Sequence, residues 1–115
     1  MAQIFTILEY SSQSPPVPTM IRAQVANETD PYFDFLTAAF LTTASEWSYI
    51  AMGVGWNGPT KAFPWFKKYD APLGAPLGAV SIVSREQGVM RREFEHITVE
   101  LNVSAWSAIY MVLSF

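Results

Sequence analysis

The chain has no cysteine, one histidine and few charges: seven basic and ten acidic side chains in 115 residues, a formal net charge of −3. Lack of cysteine removes disulfides, thiolate nucleophiles and cysteine-ligated zinc or iron–sulfur sites, and a lone His96 excludes a multi-histidine metal site within the chain. No cofactor is expected from this residue set. The longest basic clusters are Lys67-Lys68 and Arg91-Arg92, too little for a phosphate-binding stripe, so nucleic acid is not an expected partner. The most apolar window, residues 33–56, is broken by Asp34, Glu46 and several hydroxyls, which argues against a membrane span. Residues 1–13 have neither the basic start nor the long apolar core of a signal peptide. Glycosylation triplets at Asn27 and Asn102 are too common by chance to place the chain in a compartment.

What is present is oily. Half of the residues are apolar and 15% are charged, which excludes a disordered chain. The length allows one domain or part of one. Such a balance means a large core for the length, or apolar surface that meets another chain or a further segment.

Local patterns divide the chain into four stretches: 1–28, 29–54, 55–80 and 81–115. In the first, residues 3–9 read as a short strand from Ile4, Phe5, Ile7 and Leu8, and residues 11–19 as a proline-rich break. Residues 20–26 alternate, Ile21, Ala23 and Val25 against Met20, Arg22 and Gln24, as a half-buried strand does. Residues 27–45 read as a helix, with Thr29 or Asp30 as cap, Pro31 in the first turn and Asp34 near the positive end of the dipole. Its Phe33, Leu36, Phe40 and Ala44 recur at helical spacing, with Tyr32, Phe35 and Ala39 widening the stripe until most sides need cover. Residues 47–54, apolar on both alternations, predict a central strand covered on two faces. Residues 89–95, 97–103 and 108–113 predict a run of antiparallel strands. The expected fold is α+β: one buried helix and an α/β-type strand, followed by an antiparallel β-meander.

Between the two halves lies a stretch that is neither helix nor strand. Residues 53–78 hold five of the six glycines, four of the eight prolines and two of the four tryptophans. Gly and Pro at this density break regular structure, yet a mere connector has no need of Trp56, Phe63, Trp65, Phe66 and Tyr69. Aromatics on an irregular loop suit a ligand-facing surface, or equally a satellite core folded beneath the loop. Trp56 presents a flat face that matches the C–H face of a pyranose, with Tyr49, Trp65 and Tyr69 able to assist. Asp70 is the acid placed to act on a ligand, although a turn-stabilising contact is the commoner fate of such an aspartate. Glu46, at the amino end of its strand, reads as a structural partner of Arg22 or Arg85. Trp47 and Trp106 read as core, His96 as a surface histidine, and Arg91, Arg92, Glu93 and Glu95 as a solvated charged face.

Three runs, AAFLTTASEWSYIAMGVGW, WFKKYDAPLGAPLGA and RREFEHITVELNV, resemble the carboxyl-terminal end of glycoside-hydrolase-like proteins built on a (β/α)8 barrel. The resemblance covers roughly residues 33–103, and its most specific pieces are residues 69–78 and 92–96. It implies the last βα unit and closing β-layer of a TIM-barrel glycosidase, with the principal acids on strands outside this chain, since a whole barrel takes about 250 residues. It therefore carries over no catalytic residue. It implies carbohydrate as the partner and Trp56, and after it Trp65 and Asp70, as substrate-lining positions, while Tyr69 joins them only as an aromatic of the same loop. Two other functions fit the residues: a small carbohydrate- or protein-binding module without chemistry, and a structural subunit that completes its sheet by forming a homo-oligomer.

Overall fold

The computed structural model describes residues 2–25, 27–53 and 65–112. Among them the elements run α1 (Ala2–Ser11), β1 (Thr19–Gln24), α2 (Pro31–Thr43), β2 (Ser48–Gly53), β3 (Ser81–Ser84), β4 (Val89–Glu93), β5 (Ile97–Asn102) and β6 (Ser107–Val112), with a 3-10 turn at Lys67–Asp70 before β3. Strands β1 and β2 pair in parallel from Thr19↔Ser48 to Gln24↔Gly53, and α2 is the crossover between them. Strands β3 to β6 form an antiparallel meander in sequence order. The fold is α+β, as the residue patterns imply.

Helix α2 holds the two sheets together. Its cap is Asp30, whose carboxylate accepts from the Tyr32 amide at 2.9 Å, and Pro31 opens the first turn where its missing N–H costs nothing. Phe33 turns toward Val25, Met52 and Phe66 beside the parallel pair. Phe35, Ala38 and Ala39 turn toward Met90, Val99, Leu101 and Val103 of the meander side. A helix that serves two cores must be apolar on two faces, which is why its stripe is so wide. The threonines within it are tolerated because each hydroxyl donates back one turn: Thr37 to the Phe33 carbonyl, Thr42 to Ala38 and Thr43 to Ala39, at 2.7–2.8 Å.

Residues 3–9 do not form a strand. They lie in α1, where Ile4, Phe5 and Leu8 pack against the main core and Ser11 is buried one turn further on. A short apolar run fits both periods, and here the Ile4–Leu8–Ser11 spacing is used. The Ser11 hydroxyl donates to the Thr43 carbonyl at 2.6 Å and ties the ends of α1 and α2 together.

Strand β2 departs from its expected central position: its partner is β1 in a two-stranded sheet, and Tyr49 is exposed. Strand β3 is a further strand of the meander, ahead of the three that the residue patterns mark. Four residues with a register shift between Ile82 and Ser84 leave little pattern to read. Trp47 and Trp106 are also corrections, being 48% and 62% exposed rather than core. Nor is Arg92 a solvated charge. Its guanidinium donates to the Leu41 and Ala44 carbonyls at the end of α2, at 3.0 and 2.8 Å, and to the Gly78 carbonyl at 3.1 Å. Burial holds it below the usual arginine value. Arg91 alone of the pair makes the expected exposed contact, to Glu100 at 2.6 Å. Arg85 lies over the Phe5 ring at 4.7 Å, and Glu46 is exposed in the turn before β2.

The two most specific runs of the sequence resemblance meet in space. Residues 73–77 lie along residues 93–96, through His96 N to Leu73 O, Glu95 N to Ala75 O and Leu77 N to Glu93 O at 2.9–3.0 Å. Gly74 sits at φ +76°, and a Cβ there would meet the Glu95 Cβ at 2.5 Å. The glycine is thus required both by conformation and by space.

Trp106 adopts φ 52° in the β5–β6 turn, a left-handed conformation normally left to Gly or Asn. Its ring holds it there, 5.1 Å from Phe35 and 5.9 Å from Tyr32. Trp106→Gly and Trp106→Ala both delete the ring, but only alanine keeps the backbone cost. The glycine variant should therefore be the more stable by about 1 kcal/mol in urea unfolding. Equal midpoints would show that the turn relaxes once the ring is gone.

Candidate functional site

A groove of about 1020 Å³ opens between α2, from Phe33 to Leu41, strand β2 and the 3-10 turn, with Leu73, Ile97 and Tyr110 closing it from the meander side. Of the residues singled out in the sequence, Trp65, Tyr69, Asp70 and Tyr49 all line it. Trp56 and Phe63 lie outside the described residues. Glu46 does not line the groove, and His96 is exposed.

The 3-10 turn is fixed from two sides. Beneath it, Tyr69 stacks on Phe33 with centroids 5.7 Å apart and meets Phe66 edge-on at the same distance, while Phe66 meets Phe33 at 5.0 Å. This is the satellite core that the aromatic loop could form, and two of its rings supply it. From the side, Lys68 anchors the turn to the start of α2. Its backbone amide donates to the Glu28 carboxylate at 2.9 Å, and its ammonium to the Glu28 carbonyl at 3.0 Å and to Asp34 at 3.3 Å. The ammonium also lies 5.6 Å from the centre of the Phe33 ring.

Trp65 behaves differently from Phe66. It is 72% exposed, yet its ring is held: Nε1 donates to Asp70 Oδ1 at 3.0 Å, and Tyr69 meets it edge-on at 4.9 Å. An aromatic face thus stands in solvent at a fixed angle beside a carboxylate. The Tyr69 hydroxyl is enclosed and has no hydrogen-bond partner among the described residues, and burial raises its phenol above the usual tyrosine value. Tyr110, on the far wall, donates to the Asp34 carbonyl at 2.6 Å. Burial first, and the Asp34 charge second, push its phenol up.

Groove residues that the sequence does not single out are Glu28, Lys68 and Tyr110, together with Asp34 in any role beyond the helix dipole. The contacts that place them join positions 34 to 76 residues apart along the chain, so local spacing holds no sign of them. Among the described residues no group of three His, Cys, Asp or Glu side chains converges on a metal-sized site. No helix among them is long and apolar enough to cross a membrane.

A parallel βαβ unit, backed by an antiparallel meander and carrying an aromatic-rimmed groove, defines a glycoside-hydrolase-like α+β chain once the family comparison is added. The model of hypothetical glycosyl hydrolase family 15 matches residues 12–98, most of the chain, and the chain belongs to that family. The match spans β1 to the start of β5, with Trp65, Tyr69, Asp70 and the Lys68 anchor inside it. A search of the curated proteins gives no match.

Proposed function

We propose that the chain supplies a carbohydrate-lining surface of a glycoside-hydrolase-like protein and does not hydrolyse glycosides alone. Trp65 is the platform. Its exposed indole, pinned by Asp70 at the groove mouth, carries the reading. A flat, rigid apolar face with a carboxylate at its edge matches a pyranose, which offers C–H bonds on one face and hydroxyls around its rim. Trp56 belongs to the same proposed surface from the preceding loop.

Glycoside hydrolysis takes two carboxyl groups set roughly 5–10 Å apart across the scissile bond. Among the described residues the carboxylates of the groove are Glu28, Asp34 and Asp70, and each is engaged by a donor of the chain: Lys68 for the first two and Trp65 for the third. No two of them are arranged as a free acid–base pair. The βαβ unit further supports its assignment as the last such unit of a (β/α)8 barrel, with the catalytic acids supplied by other strands. Among the described residues the parallel sheet has two strands, and all-parallel sheets normally lie covered on both faces.

The test is a titration of a panel of neutral and acidic oligosaccharides followed by tryptophan fluorescence and calorimetry, with aryl-glycoside hydrolysis in parallel. Saturable binding is expected, weakened at least tenfold in Trp65→Ala and less in Asp70→Asn, without release of sugar. Binding unchanged in Trp65→Ala removes the platform. Hydrolysis by the chain alone, abolished in Asp70→Asn, would make the chain an enzyme.

A further inference from the structure

The meander has two edges, and they are built differently. Strand β3 is a protected edge: four residues long and shifted in register between Ile82 and Ser84. Short, irregular edges resist pairing with other chains. Strand β6 has neither device. Its six residues, SAIYMV, pair with β5 without interruption from Asn102↔Ser107 to Ile97↔Val112, and contain no charge, glycine or proline. Ile109, Met111 and Val112 are 55%, 38% and 75% exposed. In an antiparallel ladder alternate backbone N–H and C=O groups of such a strand point away from its neighbour, and among the described residues no strand lies beyond it.

We infer that β6 is a self-association edge, pairing antiparallel with β6 of a second copy to join two four-stranded meanders into one sheet. The occupant follows from the strand's own chemistry. A partner strand bearing charges would set them against Ile109 and Met111 in a partly dehydrated ladder, at a cost that β6 itself avoids. About a two-fold axis normal to the sheet, outer side chains remain on one side. The register that sets Tyr110 across from the partner's Tyr110 places Ile109 across from the partner's Met111. Two exposed apolar side chains on each copy then cover each other, and the outward backbone groups of both strands find partners. The charged groups on that face stay clear, because Arg91 is already paired with Glu100 one strand inward. This association stands on the meander alone and does not rest on carbohydrate binding.

Sedimentation velocity over a hundredfold concentration range should show a reversible monomer–dimer equilibrium for the chain. Ile109→Lys with Met111→Lys should shift it to monomer with unchanged far-UV circular dichroism, and Val83→Lys on the opposite edge should leave it intact. Should the double-lysine variant fail to fold, Ile109→Cys with Met111→Cys in this cysteine-free chain gives a second reading. Oxidation should form a covalent dimer, and the same pair at Ser81 and Val83 should not. A monomer at every concentration overturns the inference, as does a dimer that survives the lysines or is lost with Val83→Lys.

Discussion

Arg92→Met should destabilise the protein by about 3 kcal/mol, although the side chain starts from a strand whose neighbours are charged and exposed. The last carbonyls of any α-helix have no partner within it. In α2 two of them, from Leu41 and Ala44, are met by the same Arg92 nitrogen, while its Nε meets Gly78. One planar guanidinium thereby ties the end of α2 to β4 and to the segment ahead of β3. Hydrogen bonds to a charged donor contribute roughly 1.5–3 kcal/mol each, and carbonyls left enclosed without a partner cost a further fraction. Partial solvent access keeps the sum well below three times that figure. The cation also faces the Phe94 ring at 5.5 Å, a contact methionine keeps only in part. Arg92→Lys should recover less than half of the loss, since a single ammonium cannot serve carbonyls on both sides. Urea unfolding followed by circular dichroism measures all three proteins. A loss below about 1 kcal/mol for the methionine variant would mean that solvent caps α2 equally well.

Arg92 also shows where sequence reading stops. Helix α2 is legible because cap, first-turn proline and apolar spacing agree with one another, and β1 because its alternation matches its burial residue by residue. The meander is legible from β5, where Ile97, Val99 and Leu101 face the core. Arg92 sits in the same stretch but acts on carbonyls 48 and 51 residues away, and its neighbours Arg91 and Glu93 do face solvent. A run of charges has one appearance whether it is solvated or reaches inward. The tryptophans fail for a related reason. Size and apolarity argue for burial, but Trp106 lies on a turn, where only one side of the ring finds neighbours. In the groove, Trp65, Tyr69 and Asp70 stand out because aromatics and a carboxylate within six residues are visible locally. The Lys68 anchor is not, because Glu28 and Asp34 are distant in sequence.

Phe33→Ala should have the largest effect of any single change described, about 3–5 kcal/mol, the range for deleting a buried phenylalanine ring. Phe33 is 1% exposed and is the ring on which Val25, Met52 and Phe66 converge. For a chain of this length that is a large share of the total stability. The same ring also forms the floor of the groove, since Tyr69 stacks on it and the Lys68 ammonium lies over it. Its removal should therefore release the 3-10 turn before the meander yields. Hydrogen exchange of a peptide spanning residues 65–73 should lose protection at the Tyr69 amide, which bonds Phe66, and at the Lys68 amide, which bonds Glu28. Strand β5, whose core contacts run through Phe35, Ala38 and Ala39 on the other side of α2, should stay protected longest. Phe33→Leu, which keeps most of the volume, should cost no more than about 1.5 kcal/mol and leave the turn ordered. Uniform loss of protection in Phe33→Ala would show that the two cores unfold as one unit. Unchanged protection at residues 65–73 would show that Lys68 alone fixes the turn, and that the aromatic stack beneath Trp65 does not set its angle.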